Sequence, residues 1–160
     1  MKNLKTFTDR FAHGLEFVLA ALFMILFLVT MLNIVLRNIG GVTWLWIPGF
    51  MRLVFIWLVF LGITVAYRRG DHLIVDLFMK SLGPKGRSRL TLAIESAQLP
   101  FFALLLAFGI EVARVRMRIS FETWQVPTGY AYLAVPVSAA ILLAFALERL
   151  VTTWLELRKS

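Results

Sequence analysis

Apolar and polar positions fall into long blocks along this chain instead of alternating. Leu15 to Leu36 is a run of 22 residues whose one formal charge, Glu16, sits at its edge. A second run extends from about Ile47 to Tyr67 with Arg52 inside it, and a third from about Leu90 to Ala113 with Glu95 and Glu111 near its two ends. The fourth, about Tyr130 to Val151, is uncharged until Glu148 and Arg149. Roughly 20 helical residues cross a hydrocarbon core of about 30 Å. A lone span must be helical, because lipid offers unpaired backbone groups no partners. The pattern therefore predicts an all-α membrane protein: a single domain over 1–160 with four transmembrane helices at about 15–36, 47–67, 90–113 and 130–151.

The polar stretch between the second and third runs has a pattern of its own. Within Asp71 to Leu82, the residues Leu73, Ile74, Leu77, Phe78 and Leu82 share one helical face. That spacing predicts a short amphipathic helix lying in the cytoplasmic interface, ended by Gly83-Pro84. Leu4, Phe7 and Phe11 are spaced in the same way, which extends the expectation of an interfacial helix to residues 1–14.

Composition supports the lipid reading. The chain is 60% hydrophobic and 16% charged, with mean hydropathy +0.82, against roughly 45–50% and about 25% in soluble domains. The net charge of +8 does not form one basic stripe, so it predicts topology and no nucleic-acid partner. Twelve Lys and Arg flank the first, third and last polar segments (Lys2, Lys5 and Arg10; Arg68 to Arg89; Arg149, Arg158 and Lys159). Four, namely Arg37, Arg114, Arg116 and Arg118, lie on the other side. The bias predicts a bacterial inner-membrane protein with both termini cytoplasmic. Trp44, Trp46, Trp124, Tyr130 and Tyr132 would form the outer aromatic belt. The first run is too long for a signal-peptide core and lacks a cleavage pattern, so it is expected to remain as a span.

Catalysis requires convergent acids, bases or nucleophiles. The chain has no cysteine, and its two histidines, His13 and His72, lie outside the apolar runs. No catalytic, metal or cofactor residues are expected, and an enzyme or redox anchor is disfavoured. Charges near span ends usually anchor or pair. Arg52, Glu111, Glu95 and Arg149 are the structural ion-pair candidates, with Arg52 facing Glu111 at the outer level and Glu95 reaching Arg149 or Arg68 at the inner. Pro100 and Pro136 are expected to kink the third and fourth spans. Pro136, Ala140 and Ala144 share one face and are expected to pack helices closely. Arg114, Arg116 and Arg118, with Glu122 and Trp124, form a candidate surface for docking a partner on the outer side.

The ordered set of residues from Arg52 through Trp57 to Gly62, then Ala66-Tyr67-Arg68-Arg69-Gly70-Asp71-His72 and Val75-Asp76, resembles the small membrane subunit of TRAP (tripartite ATP-independent periplasmic) transporters, the DctQ-like family. Val126-Pro127-Thr128-Gly129-Tyr130-Ala131-Tyr132 followed by Pro136 is similar to the same family, and the resemblance covers nearly the whole chain. Gly49 departs from it, because the family often carries an acidic residue one turn before the arginine. The resemblance implies an accessory scaffold packed on a large elevator-type permease. That permease would hold the coupling sodium and the substrate site, and a periplasmic binding protein would deliver an organic anion. Membrane lipids are the remaining expected partners. The competing reading is a self-sufficient small oligomeric exporter or channel, which calls for an ionisable group deep in a span.

Overall fold

The computed structural model describes the backbone of residues 2–41, 44–69, 84–122 and 124–159, and the side chains of 10–41, 44–69, 93–122 and 124–155. Its long helices are α1 (Lys2–Ile39), α2 (Ile47–Arg69), α3 (Pro84–Arg116) and α5 (Ala134–Lys159), with a single turn, α4 (Gly129–Tyr132), before the last. Four stretches, Arg10–Ile39, Ile47–Arg69, Ala93–Arg116 and Gly129–Leu155, are long and apolar enough to cross a membrane. The interfacial helix expected over Asp71 to Leu82, with Leu73, Ile74, Leu77, Phe78 and Leu82, lies outside the described residues.

A separate helix over residues 1–14 does not form. The backbone runs unbroken through that segment into the first span. No proline interrupts it, and the single glycine, Gly14, costs a helix only about 1 kcal/mol relative to alanine. At about 1.5 Å per residue, α1 is about 57 Å long and overreaches a core of about 30 Å.

The helices α3 and α5 handle their prolines differently. Pro84 opens α3, where its missing N–H is not required, and the helix continues through Pro100. Pro136 coincides with a break between α4 and α5 instead of a kink inside one helix. Its ring crowds the Tyr132 carbonyl one turn back and it has no N–H to donate there. Leu133 N–H closes the short turn on Gly129 O at 2.9 Å, and Val137 N–H resumes the ladder on Leu133 O at 3.2 Å. Gly109 of α3 faces this break so closely that a Cβ would lie 3.0 Å from Val135 Cγ1 and 3.2 Å from Pro136 N.

Packing follows the order α1, α2, α5, α3, with α5 held between α2 and α3. The core is a cluster of Tyr67, Phe102, Leu142, Phe145 and Ala146, flanked by Leu99, Ile141 and Leu143. Tyr67 meets Phe102 edge-on at 5.5 Å, and Phe11 of α1 meets Phe145 at 6.5 Å. The small residues buried on α5 are Ala134, Ser138, Ala139 and Ala146. Ala140 and Ala144 are exposed, so they do not join Pro136 in packing within the chain. Each residue turns the helix by about 100°, which carries Ala140 off the face that Ala139 buries.

A hairpin also forms where the sequence pattern suggests a plain helix end. β1 (Ser120–Phe121) pairs antiparallel with β2 (Trp124–Pro127), setting Ser120 opposite Pro127 and Phe121 opposite Trp124. Thr128 ties it to the end of α3. Its N–H donates to Ile119 O at 2.8 Å, and its Oγ1 lies 2.8 Å from Ile119 O and 3.1 Å from Arg116 O. Gly129 comes next because nothing larger fits: a Cβ would sit 2.7 Å from the Met117 backbone nitrogen. Gly129→Ala should force the α3 terminus and α4 apart and destabilise the chain by about 1–3 kcal/mol. The thermal unfolding midpoint of the full chain in mild detergent checks this, and an unchanged midpoint would contradict it.

Candidate functional site

The charged residues gather at the two ends of the helices. At the end that holds both termini, three ion pairs link the four helices in their packing order. Arg69 Nη2 of α2 lies 2.9 Å from Glu16 Oε1 of α1. Arg68 Nη1, the neighbouring residue on α2, donates to Glu148 Oε2 of α5 at 2.9 Å. Arg149 Nε, the neighbouring residue on α5, lies 2.9 Å from Glu95 Oε1 of α3. Two sequence-adjacent pairs, Arg68-Arg69 and Glu148-Arg149, thus each reach helices on both sides of their own.

Burial separates the three contacts. The Glu148 side chain is 6% exposed and that of Arg68 19%, and the Arg68 guanidinium also sits 5.4 Å from the Phe145 ring centre. Such a shielded pair is strongly coupled once formed. Glu16 and Arg69 are far more open, so water screens them. The Arg149–Glu95 contact is close but poorly aligned. Both carboxylate oxygens of Glu95 are buried and neither accepts a hydrogen bond among the described residues, so the attraction there is electrostatic and undirected. Tyr67 lies beside this end of the core and donates its hydroxyl to Gln98 Oε1 at 2.9 Å.

The other end is built on the hairpin. Gly49 is buried beneath it, with a Cβ position 3.4 Å from Trp124 and 3.5 Å from Phe121. The place where an acidic residue was expected is thus covered by aromatic side chains. Trp44 stacks on Trp46 at 6.2 Å, Trp46 meets Phe50 at 5.9 Å, and Phe50 meets Trp124 at 6.1 Å. Trp57 Nε1–H donates to Tyr130 O at 2.9 Å, tying α2 to α4. Trp124 is half-buried in this wall and anchors the hairpin.

Arg52 and Glu111 make no ion pair with each other. Both are exposed, and Arg52 lines a cleft under the hairpin together with Arg116 and Glu122. Arg114, Arg116 and Arg118 are also exposed but do not present one patch. On a helix, a two-residue step turns the side chain by about 200°, and α3 ends at Arg116. Arg116 lies over the Tyr132 ring at 5.2 Å. The Arg68–Glu148 and Arg69–Glu16 pairs were missed in the sequence. Their signal was the pair of adjacent charged doublets at the ends of the second and fourth runs.

Comparison with known proteins places these features in a family context. Residues 26–156 match the family model of the DctQ component of tripartite ATP-independent periplasmic transporters. A Haemophilus influenzae protein whose name describes a TRAP transporter small permease protein is 25% identical over 161 aligned positions, covering 96% of this chain and 93% of its own length.

The three ion pairs form a clamp across the helices, and their unequal burial ranks the cost of breaking them. Glu148→Ala leaves Arg68 without its shielded carboxylate and should cost roughly 3–5 kcal/mol. Glu16→Gln, at an exposed pair, should shift the unfolding midpoint far less. Thermal unfolding of both variants of the full chain in mild detergent checks this, and a reversed order would contradict it.

Proposed function

The chain belongs to the DctQ family, the small permease component of TRAP transporters and a multi-pass inner-membrane protein, and from that premise we propose that it is a non-catalytic scaffold for the large permease subunit. The carrying observation is the surface of α5. From Ala134 to Leu155 its exposed residues are Val137, Ala140, Ala144, Leu147, Val151 and Trp154. They recur at alternating three- and four-residue steps, the spacing with which one helix meets another along a seam. Ala140 and Ala144 lie in the middle of that seam, where small side chains let two backbones approach closely.

The helix that is most enclosed by its own chain therefore keeps one regular strip uncovered, and the large permease is the partner that fits it. No residue in the most apolar stretch of α1 is fully buried within the chain, which supplies a second broad surface for the permease and for lipid. The sodium and the transported organic anion find their ligands on the large subunit. The excess of Lys and Arg puts the clamp end in the cytoplasm, and the hairpin end then faces the periplasm. There the exposed Arg114 and Arg118 help receive the binding protein through a field that salt weakens.

Three outcomes test this. Ala144→Leu should cut co-purification of the large permease severalfold while leaving helicity by circular dichroism intact, and normal recovery would count against the seam. Arg114→Glu with Arg118→Glu should slow uptake at limiting binding protein and flatten its salt dependence, and wild-type uptake would remove the docking role. Vesicles holding this chain alone should show no sodium-driven uptake. Transport by the chain alone would overturn the scaffold reading in favour of a self-sufficient carrier.

A further inference from the structure

The cleft beneath the hairpin has a volume of about 300 Å³ and is lined by Pro48, Gly49, Arg52, Arg116, Ser120 and Glu122, among others. Three formal charges border one small space, yet no ion pair joins any two of them. The Arg116 guanidinium lies over the Tyr132 ring, its carbon 5.2 Å from the ring centre. A cation–π contact of this kind does not use up the guanidinium's five N–H donors. Arg52 has no carboxylate partner among the described residues. The cleft thus offers two guanidinium groups and, apart from them, one carboxylate.

Depth selects the ligand. Arg52 lies five residues into α2, about 7.5 Å along the helix from its start at about 1.5 Å per residue. The stacked Trp44 and Trp46 stand at the entry to that helix, and aromatic residues of this kind mark the level of lipid headgroups. An arginine just inside that level extends its guanidinium outward to the phosphate layer and needs a counter-charge there. Paired guanidinium groups suit a phosphate, which accepts bidentate hydrogen bonds. Glu122 on the hairpin suits an ammonium group. A ligand that carries both, a phosphodiester with a short tethered amine, would satisfy all three charges at once.

We propose that this cleft binds the zwitterionic headgroup of an aminophospholipid, with Arg52 and Arg116 on the phosphate and Glu122 on the ammonium. The same chemistry could come from a free phosphorylated amine in solution. The membrane is the source favoured here, because the cleft opens at headgroup level beside apolar helix faces that acyl chains can follow. The inference rests on the membrane-spanning fold and does not depend on which protein covers α5.

The test uses the full chain, purified from native membranes in mild detergent with any subunit it retains. Native mass spectrometry reads lipids retained, and titration with phosphatidylethanolamine, phosphatidylglycerol and phosphatidylcholine reads preference. Retained phosphatidylethanolamine, and preference for it over the other two, is expected. Arg52→Gln should weaken binding of every phospholipid by about tenfold or more, the scale of a lost charge-assisted contact. Glu122→Gln should keep phosphate binding and abolish the preference for the amine headgroup. Glu122 is exposed on the hairpin, so that variant decides the matter even if Arg52→Gln fails to fold. A wild-type lipid profile in Glu122→Gln would overturn the proposal. Saturable calorimetric binding of free phosphoethanolamine without lipid retention would overturn its membrane source.

Discussion

Charge pairing between helices, most shielded from water at Arg68 and Glu148, is the constraint on which this molecule depends. Four apolar helices gain no hydrophobic driving force from burying greasy side chains against one another, because lipid tails are equally apolar. Order along the row must come from contacts that lipid cannot imitate. The Arg69–Glu16, Arg68–Glu148 and Arg149–Glu95 pairs provide such contacts, and each joins a different pair of helices. Because adjacent residues on α2 and on α5 reach in opposite directions, the pairs link each of these helices to a neighbour on either side. The aromatic core at Tyr67, Phe102 and Phe145 then fills the space that the pairs define.

The opposite end is held by different physics. There the chain has to reverse direction between α3 and α5 at a membrane surface, where loop backbone needs partners. The hairpin, the Thr128 contacts and the Trp57 bond to the Tyr130 carbonyl supply them. Gly109, Gly129 and Pro136 mark the places where backbones come closest. One end is thus secured by charge and the other by backbone geometry, and α5, which runs between them, is the best enclosed helix of the four. Both ends are thus fastened while one regular strip of α5 stays uncovered within the chain.

Much of this was legible in the residues. The four apolar runs announced the spans because a bilayer demands length and continuity, and both survive in composition alone. The family was legible in ordered motifs such as Val126-Pro127-Thr128-Gly129. Which charges meet was harder to see, since helix rotation is set jointly by all contacts and by no single one. Glu95 could be placed near either Arg149 or Arg68, and Arg52 was matched to Glu111 on depth alone, whereas the structure turns Arg52 toward the hairpin cleft. The hairpin itself was hidden, because two-residue and four-residue strands leave almost no periodic signal. Pro136 signalled a disturbance in the fourth run, but the separate turn α4 and the close approach of Gly109 emerge only in the folded chain.

The sequence of helix neighbours, α1 to α2 to α5 to α3, carries a mechanical consequence. Helices packed side by side sit about 8–10 Å apart, yet this row is not flat, because Tyr67 of α2 reaches past α5 to Phe102 and Gln98 of α3, and Phe11 of α1 reaches past α2 to Phe145 of α5. Such contacts brace the row, so that turning any one helix about its axis disturbs two others at once.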